Sequence, residues 1–203
     1  MSYILVGLGN PGAEYDNTRH NLGRMILESF AKANDFSPFE LDKKLKALVS
    51  EGKIGSDKVL FVEPETFMNN SGESLKKLKT TNYKLKTKAK EVTNLAVIHD
   101  DLDIPFGKFK ISFNKSSGGH KGVESIIKAV KTQAFVRVRV GIASSASVVK
   151  KSQDEEVVNK VILGKFKPAE LDELKKLSIH ISAAISTLVT DGREKAMSQQ
   201  GSC

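Results

Sequence analysis

The 203-residue sequence contains little of what several classes of protein depend on. It has a single cysteine, Cys203, and no tryptophan. One cysteine excludes an internal disulfide framework and a zinc site built from several cysteines, and this usage is typical of a reducing compartment. No apolar run approaches the roughly 18 residues that a transmembrane helix needs, so we expect no membrane partner.

Acidic residues are outnumbered by basic ones. Lys and Arg together count 32 against 24 Asp and Glu, which gives a formal net charge of +8. This excess is compatible with an RNA partner, but it can also serve solubility alone. Seven lysines lie between positions 76 and 90 without one acidic residue among them. We interpret residues 76–91 as a solvated lysine-rich loop, with an RNA-facing surface as the alternative.

The first residues carry no targeting pattern. The chain runs from Met1 directly into the apolar segment at residues 4–8, without the parts of a signal peptide or an Arg-rich leader. We therefore expect a cytoplasmic protein and leave a mitochondrial location open. The length favours one domain over residues 1–203.

The hydrophobic pattern alternates between the period of strands and the period of helices. Strand patterns occur at residues 4–8, 47–54, 59–62, 95–98, 108–113 and 136–142. Helix patterns occur at residues 22–34, from Ser71 onwards, at 123–130, and from Pro168 to the stop signal Asp191-Gly192. This order predicts an α/β fold, a three-layer α/β/α single domain with a mixed twisted sheet. Residues 193–203 are predicted to form a short polar tail.

The segment GLGNPG at residues 7–12 matches the glycine pattern of dinucleotide-binding proteins. In such a site a helix opens at the third glycine, so that its N–H groups meet the pyrophosphate. Here residues 13–21 intervene before the first helix pattern, and Asp35, which follows a helix, is not a suitable ribose-binding acid. We reject a dinucleotide site and interpret the glycines as a sharp turn that places Asn10 at the mouth of a cleft.

Four polar segments lie at the ends of predicted elements, at residues 18–21, 67–72, 99–103 and 118–122. Ligands of α/β sheets bind in crevices at strand ends, so these segments predict a shared site. The aspartates at 100, 101 and 103 could also suggest a metal site. No H-x-H or H-E-x-x-H spacing accompanies them, so we expect no metal. We expect no serine nucleophile either, because Ser71 suits a helix N-cap and Ser74 an exposed first turn.

These segments resemble the bacterial-type peptidyl-tRNA hydrolase family. The matching motifs are GLGNPGAEYDNTRHNLG at 7–23, FMNNSG at 67–72, HDDLDIPFGKFK at 99–110, GGHKG at 118–122, RVRVGI at 137–142 and VILGKF at 161–166. The resemblance implies a monomeric α/β enzyme that hydrolyses the ester between a peptide and the 3′-terminal ribose of tRNA, releasing free tRNA. It implies no cofactor, and tRNA as the partner.

The same resemblance implies roles for four residues. His20 matches the family's general base, and Asp100 matches the acid that orients it. An imidazole can accept a proton near neutral pH, and a carboxylate fixes its tautomer and stabilises the imidazolium. Asn10 and Asn69 match the asparagines that position water and substrate, and an amide N–H can stabilise a developing oxyanion.

Further positions match the family less simply. Lys110 and Arg139 match its basic pair for the 5′-phosphate of tRNA. Tyr15 matches a position that is either packing or substrate contact. Lys121 lies at a substrate-binding position where the family usually has asparagine, in the motif GGHNG. Lysine only donates hydrogen bonds, whereas asparagine also accepts them, so the role of Lys121 is open.

A second hypothesis is a non-catalytic RNA-binding relative with the same fold. Lys121 and the lysine-rich loop motivate it. The retained His20, Asp100 and both asparagines argue against it. We therefore expect the hydrolase.

Overall fold

The computed structural model describes residues 2–78, 83–143 and 155–198. Its strands are β1 Ser2–Gly7, β2 Glu40–Asp42, β3 Ala47–Ile54, β4 Asp57–Pro64, β5 Thr87–Lys88, β6 Glu91–Val92, β7 Leu95–Pro105, β8 Phe109–Phe113 and β9 Val136–Ala143. Its α-helices are α1 Leu22–Ala33, α2 Gly72–Lys77, α3 Lys121–Val130, α4 Glu155–Ile162, α5 Pro168–Thr190 and α6 Arg193–Ser198. Three short 3-10 turns lie at Ala13–Tyr15, Arg19–Asn21 and Met68–Asn70.

Seven strands form one mixed sheet in the order β2-β3-β4-β1-β7-β9-β8. The central strands β4, β1, β7 and β9 are parallel, whereas β2, β3 and β8 are antiparallel to their neighbours. Parallel strands are buried on both faces, and here helices cover both. The expected α/β domain with a mixed sheet is thereby confirmed.

Alternate residues of the central strands point into two separate cores. Leu5 and Ile98 belong to one core, which α1 and α5 complete. Val6 and Val97 belong to the other, which α2 and α3 complete. This alternation follows from the two-residue period of a strand, and it produces the three layers. In the described ranges, no helix combines the length and apolar character needed to cross a bilayer.

The start of α1 lies very close to the carboxyl end of β1 and to the first half of β7. A Cβ atom on Gly23 would come within 2.3 Å of the carbonyl oxygen of Ile98, so only glycine fits there. The backbone N–H of Leu8 donates to the same Ile98 oxygen at 3.0 Å. This close approach brings the turn Arg19–Asn21, which precedes α1, against the middle of β7.

Several local expectations need correction. The segment at 99–103 does not follow a strand but belongs to β7, since the backbone pairing with β9 continues past the apolar run. Ser71 makes no capping hydrogen bond and instead donates to the Met68 carbonyl at 2.8 Å. Ser74 is fully buried, and its hydroxyl donates to the Lys46 carbonyl at 3.2 Å.

Two segments interpreted as loop or tail contain regular structure. Residues 193–198 form α6, whose Ala196 is buried in the core beside α5. Within residues 76–91, the described part includes the end of α2 and the strand β5, which pairs with β6 in a small hairpin. Residues 79–82 and 199–203 lie outside the described residues. The sequence patterns also missed α4.

Candidate active site

A buried carboxylate in the middle of β7 joins two histidines from different parts of the chain. The Oδ1 atom of Asp100 lies 2.9 Å from Nδ1 of His20 and 2.9 Å from Nε2 of His120. Asp100 is 3% exposed and His20 is 7% exposed, so both hydrogen bonds are shielded from water. The two imidazole rings lie 4.9 Å apart between centroids.

The hydrogen bonds assign the tautomer of His20. A carboxylate oxygen only accepts, so the Nδ1 of His20 carries the hydrogen that Asp100 receives. In the neutral imidazole the Nε2 atom is then an acceptor with a free lone pair. His20 also lines a cavity, so this basic nitrogen belongs to a side chain that a bound molecule can reach.

His120 has the opposite tautomer. Its Nδ1 accepts from the backbone N–H groups of Gly122 and Val123 at 3.2 and 3.3 Å, so that His120 caps the N-terminus of α3. Its Nε2 therefore carries the hydrogen donated to Asp100. Sequence reasoning gave His120 no role, although a polar residue directly before the apolar stripe of α3 is the sequence signal of a cap.

The electrostatic environment keeps Asp100 ionised. Burial by itself raises the pKa of the Asp100 carboxyl, but the charges of His20 and His120 and their hydrogen bonds outweigh it. The net result is a pKa of Asp100 well below its usual range. Asp100 is therefore an acceptor for both rings at any pH at which the imidazoles are neutral.

A cavity of about 570 Å³ opens beside His20. It is lined by side chains from the loop after β1, the segment after β4, the start of α3, and α4: Asn10, His20, Phe67, Met68, Asn69, Gly119, Lys121, Val158, Asn159, Ile162 and Leu163. The structure thus brings together four of the residues that the sequence assigned to catalysis or substrate binding. Tyr15 does not line this cavity, but its ring meets that of Phe67 edge to face at 6.4 Å.

Asn10 is held in place at three atoms. Its backbone N–H donates to Oδ1 of Asn21 at 2.8 Å, and its carbonyl accepts from Nδ2 of Asn21 at 2.9 Å. The Oδ1 of Asn10 accepts from the backbone N–H of Met68 at 2.8 Å, which leaves Nδ2 as the donor that Asn10 can offer to a ligand. Asn21 is a positioning residue that the sequence reasoning also missed.

The predicted phosphate-binding pair lies on neighbouring strands. Lys110 of β8 and Arg139 of β9 are direct partners in the antiparallel register, so their side chains share one face of the sheet. Lys110 is exposed, whereas the Nε of Arg139 donates to Oδ2 of Asp101 at 2.7 Å. Arg137, two residues before Arg139 on β9, is only 2% exposed.

The donor atoms of His20, Asp100 and His120 lie within 4.8 Å of one another, so this group could hold a metal ion. In the present geometry the three side chains are joined by hydrogen bonds instead. A metal would have to displace the two hydrogens that Asp100 accepts. The chemistry that the geometry offers directly is that of an oriented general base.

An imidazole oriented by a buried carboxylate and facing a cavity with amide groups defines a hydrolytic type of centre. Comparison with known proteins makes this class specific. The family model described as peptidyl-tRNA hydrolase matches residues 4–202. The chain belongs to this family, and the expected hydrolase of ester bonds is confirmed with it.

Individual relatives are similar over their whole length. The chain is 41% identical over 197 residues to the peptidyl-tRNA hydrolase of Alkaliphilus oremlandii strain OhILAs, covering 97% of this chain and 98% of that protein. Identity to the peptidyl-tRNA hydrolase of Thermoanaerobacter sp. strain X514 is 38%, with the same coverage. The crystal structure of peptidyl-tRNA hydrolase from Acinetobacter baumannii superposes with a TM-score of 0.81 at 28% identity, covering 97% of this chain and 93% of that one.

Proposed function

We propose that this protein hydrolyses the ester that joins a peptide to the 3′-terminal ribose of tRNA, with His20 as general base. The observation that carries the mechanism is the pairing of His20 with Asp100, which leaves the Nε2 of a cavity-lining imidazole unprotonated. Family membership supports the choice of substrate. A monomer acting in the cytoplasm, where peptidyl-tRNA arises in bacteria, is part of the same proposal.

The reaction follows from these groups with a complete proton balance. The Nε2 of His20 takes a proton from a water molecule as the water oxygen attacks the ester carbonyl carbon. Asp100 stabilises the imidazolium that forms. When the bond between the carbonyl carbon and the ribose oxygen breaks, the imidazolium returns the proton to that oxygen. The products are a tRNA with a free ribose hydroxyl and a peptide with a free carboxyl group.

Amide groups stabilise the charge that develops on the carbonyl oxygen. Asn10 offers its Nδ2 from a fixed backbone, and Asn69 lies exposed at the same cavity. One well-placed donor of this kind can contribute roughly 10²–10³ in rate. Lys121 also lines the cavity, and we assign it to substrate binding through its donor hydrogens. Tyr15 contributes to substrate binding through Phe67, whose ring it supports.

Wild-type protein should deacylate N-acetyl-aminoacyl-tRNA and largely spare aminoacyl-tRNA with a free amino group. The assay follows release of the radiolabelled acyl group from both substrates under the same conditions. Equal rates on both would contradict a peptidyl-tRNA hydrolase. Salt-sensitive tRNA binding without any ester cleavage would instead support a non-catalytic RNA-binding protein.

Lys110→Ala should weaken tRNA binding through the loss of one phosphate contact. We expect KM for N-acetyl-aminoacyl-tRNA to rise by roughly tenfold, while kcat changes little, because phosphate contacts give affinity rather than chemistry. Removing the 5′-phosphate from the tRNA should produce a similar loss in wild type and little further loss in the variant. Steady-state kinetics on both tRNAs measures this coupling.

The control is Lys128→Ala, which removes an exposed lysine paired with Glu124 on α3. It should leave both kinetic constants unchanged. If the increases in KM from Lys110→Ala and from dephosphorylation multiply when the variant acts on dephosphorylated tRNA, Lys110 does not bind the 5′-phosphate.

A further inference from the structure

Arg137 on β9 is a buried arginine whose hydrogen bonds are incomplete. Its Nη1 donates to the carbonyl of Ser116 at 2.7 Å, but Nε and Nη2 have no hydrogen-bond partner among the described residues. The ring of Phe135 lies 6.0 Å from its guanidinium carbon. Buried polar groups are almost always hydrogen-bonded, so these two free donors require an explanation.

The positive charge of Arg137 also lacks an ion-pair partner among the described residues. Asp101, whose charge acts on Arg137, already accepts a hydrogen bond from Arg139. Burial and the neighbouring charge of Arg139, partly opposed by Asp101, lower the pKa of Arg137 to about 10. A buried and unpaired guanidinium is unfavourable, and an anion would relieve this cost.

Arg137 lines a second cavity, of about 590 Å³. The same cavity is lined by Asp100 and His120 of the catalytic centre and by Arg139 of the phosphate-binding pair. Exposed Lys115 adds another positive charge. The cavity therefore extends from Asp100 and His120 to Arg139, one of the two residues to which we assign the 5′-phosphate.

An unpartnered acceptor lies in the wall of this cavity. The Nδ1 of His99 donates to the backbone carbonyl of Asp100 at 2.7 Å, so its Nε2 is an acceptor. That atom is buried and has no partner in the part of the chain that the structure describes. In the register of β7 and β9, His99 lies opposite Arg139. Arg137 lies two residues before Arg139 on β9, so the three side chains share one face of the sheet. Free donors for an anion and a free acceptor for a hydroxyl together match a ribonucleotide, with its phosphate and its 2′-hydroxyl.

We propose that this cavity binds the single-stranded 3′ end of the RNA substrate, with a backbone phosphate on Arg137 and a ribose hydroxyl on Nε2 of His99. The inference rests on the proposed function, because the RNA must run from the phosphate-binding pair to the ester bond. It adds a second phosphate position, on Arg137, in a cavity that Arg139 also lines. The variant Arg137→Met tests this proposal. Methionine is close in size to arginine, and a buried charged group can often be replaced by an apolar side chain without loss of stability.

The test compares two esters of the same N-acetyl-amino acid, one with the trinucleotide CpCpA and one with adenosine, which has no phosphodiester. Arg137→Met should lower kcat/KM on the CpCpA ester at least tenfold more than on the adenosine ester. It should also reduce the salt dependence of kcat/KM on the CpCpA ester by about 0.7 log units per log unit of salt, the value for one single-strand phosphate. The matched control is Arg193→Met, whose arginine stacks on Phe113 away from this cavity and should behave like wild type.

Equal losses of Arg137→Met on both esters would overturn the proposal. If the variant does not fold, calorimetric binding to wild-type protein decides between CpCpA and its analogue with neutral methylphosphonate linkages. At least tenfold weaker binding of the neutral analogue supports the phosphate site, and equal binding overturns it. Inorganic phosphate binding as tightly as CpCpA would also overturn it, since the site would then be a simple anion site. These binding measurements do not depend on turnover, so failure of the proposed hydrolysis is seen separately in the assay on acylated tRNA.

Discussion

His20→Ala is expected to lower kcat on N-acetyl-aminoacyl-tRNA by roughly 10²–10⁴-fold, the range that general-base assistance supplies. The variant removes the unprotonated Nε2 from the cavity, and no second histidine is among the described residues that line it. His120 cannot replace it, because its Nδ1 caps α3 and its Nε2 donates to Asp100. Single-turnover kinetics with saturating enzyme measures the chemical step directly.

The control is His180→Ala, which removes an exposed histidine on α5. It should retain wild-type kcat, and both variants should keep the wild-type circular dichroism spectrum. A folded His20→Ala protein with more than about a tenth of wild-type kcat would refute the role of His20 as general base.

Asp100→Asn is expected to reduce kcat by a similar roughly 10²–10⁴-fold, for a different reason. An amide can donate to Nδ1 of His20, and this favours the tautomer with hydrogen on Nε2, which cannot accept a proton from water. Because the pKa of Asp100 is strongly lowered, the wild-type carboxylate remains ionised throughout the neutral range. The loss should therefore be present at every pH from about 5 to 9, as a pH series of kcat would show.

Asp172→Asn provides the matched control, because it makes the same substitution at an exposed aspartate that pairs with Lys175 on α5. Its kcat should equal that of wild type. If Asp100→Asn recovers wild-type kcat at high pH, the carboxylate does not act through the tautomer of His20, and the assigned geometry is wrong.

Much of the fold could be predicted because each element has its own local signal. The spacing of Leu22, Ile26 and Phe30 marks α1, and these residues are buried against the sheet as that spacing requires. Elements without an apolar stripe were missed or misplaced. The short helix α6 has a polar sequence, and β7 continues through His99 and Asp100 because backbone pairing, not side-chain hydropathy, determines where a strand ends.

The site was predictable only in part. The sequence motifs identify the candidate residues His20, Asp100, Asn10, Asn69 and Lys121. The motifs do not specify that His120 shares the carboxylate, that Asn21 holds Asn10, or that Arg137 is buried. These features depend on which side chains meet after the sheet has assembled.

The sequence by itself determined the order of the elements that have a clear hydrophobic period, and the identity of the reactive groups, since hydrophobic period and residue type are local properties. The tertiary structure decided which hydrogen bonds those groups make. His20 and Asp100 are 80 residues apart, and their contact requires β1 and β7 to be neighbours and a glycine to let α1 approach them. A free lone pair on His20 and two unpartnered nitrogens on Arg137 are consequences of that packing, because a hydrogen bond depends on distance and direction, and the sequence sets neither alone.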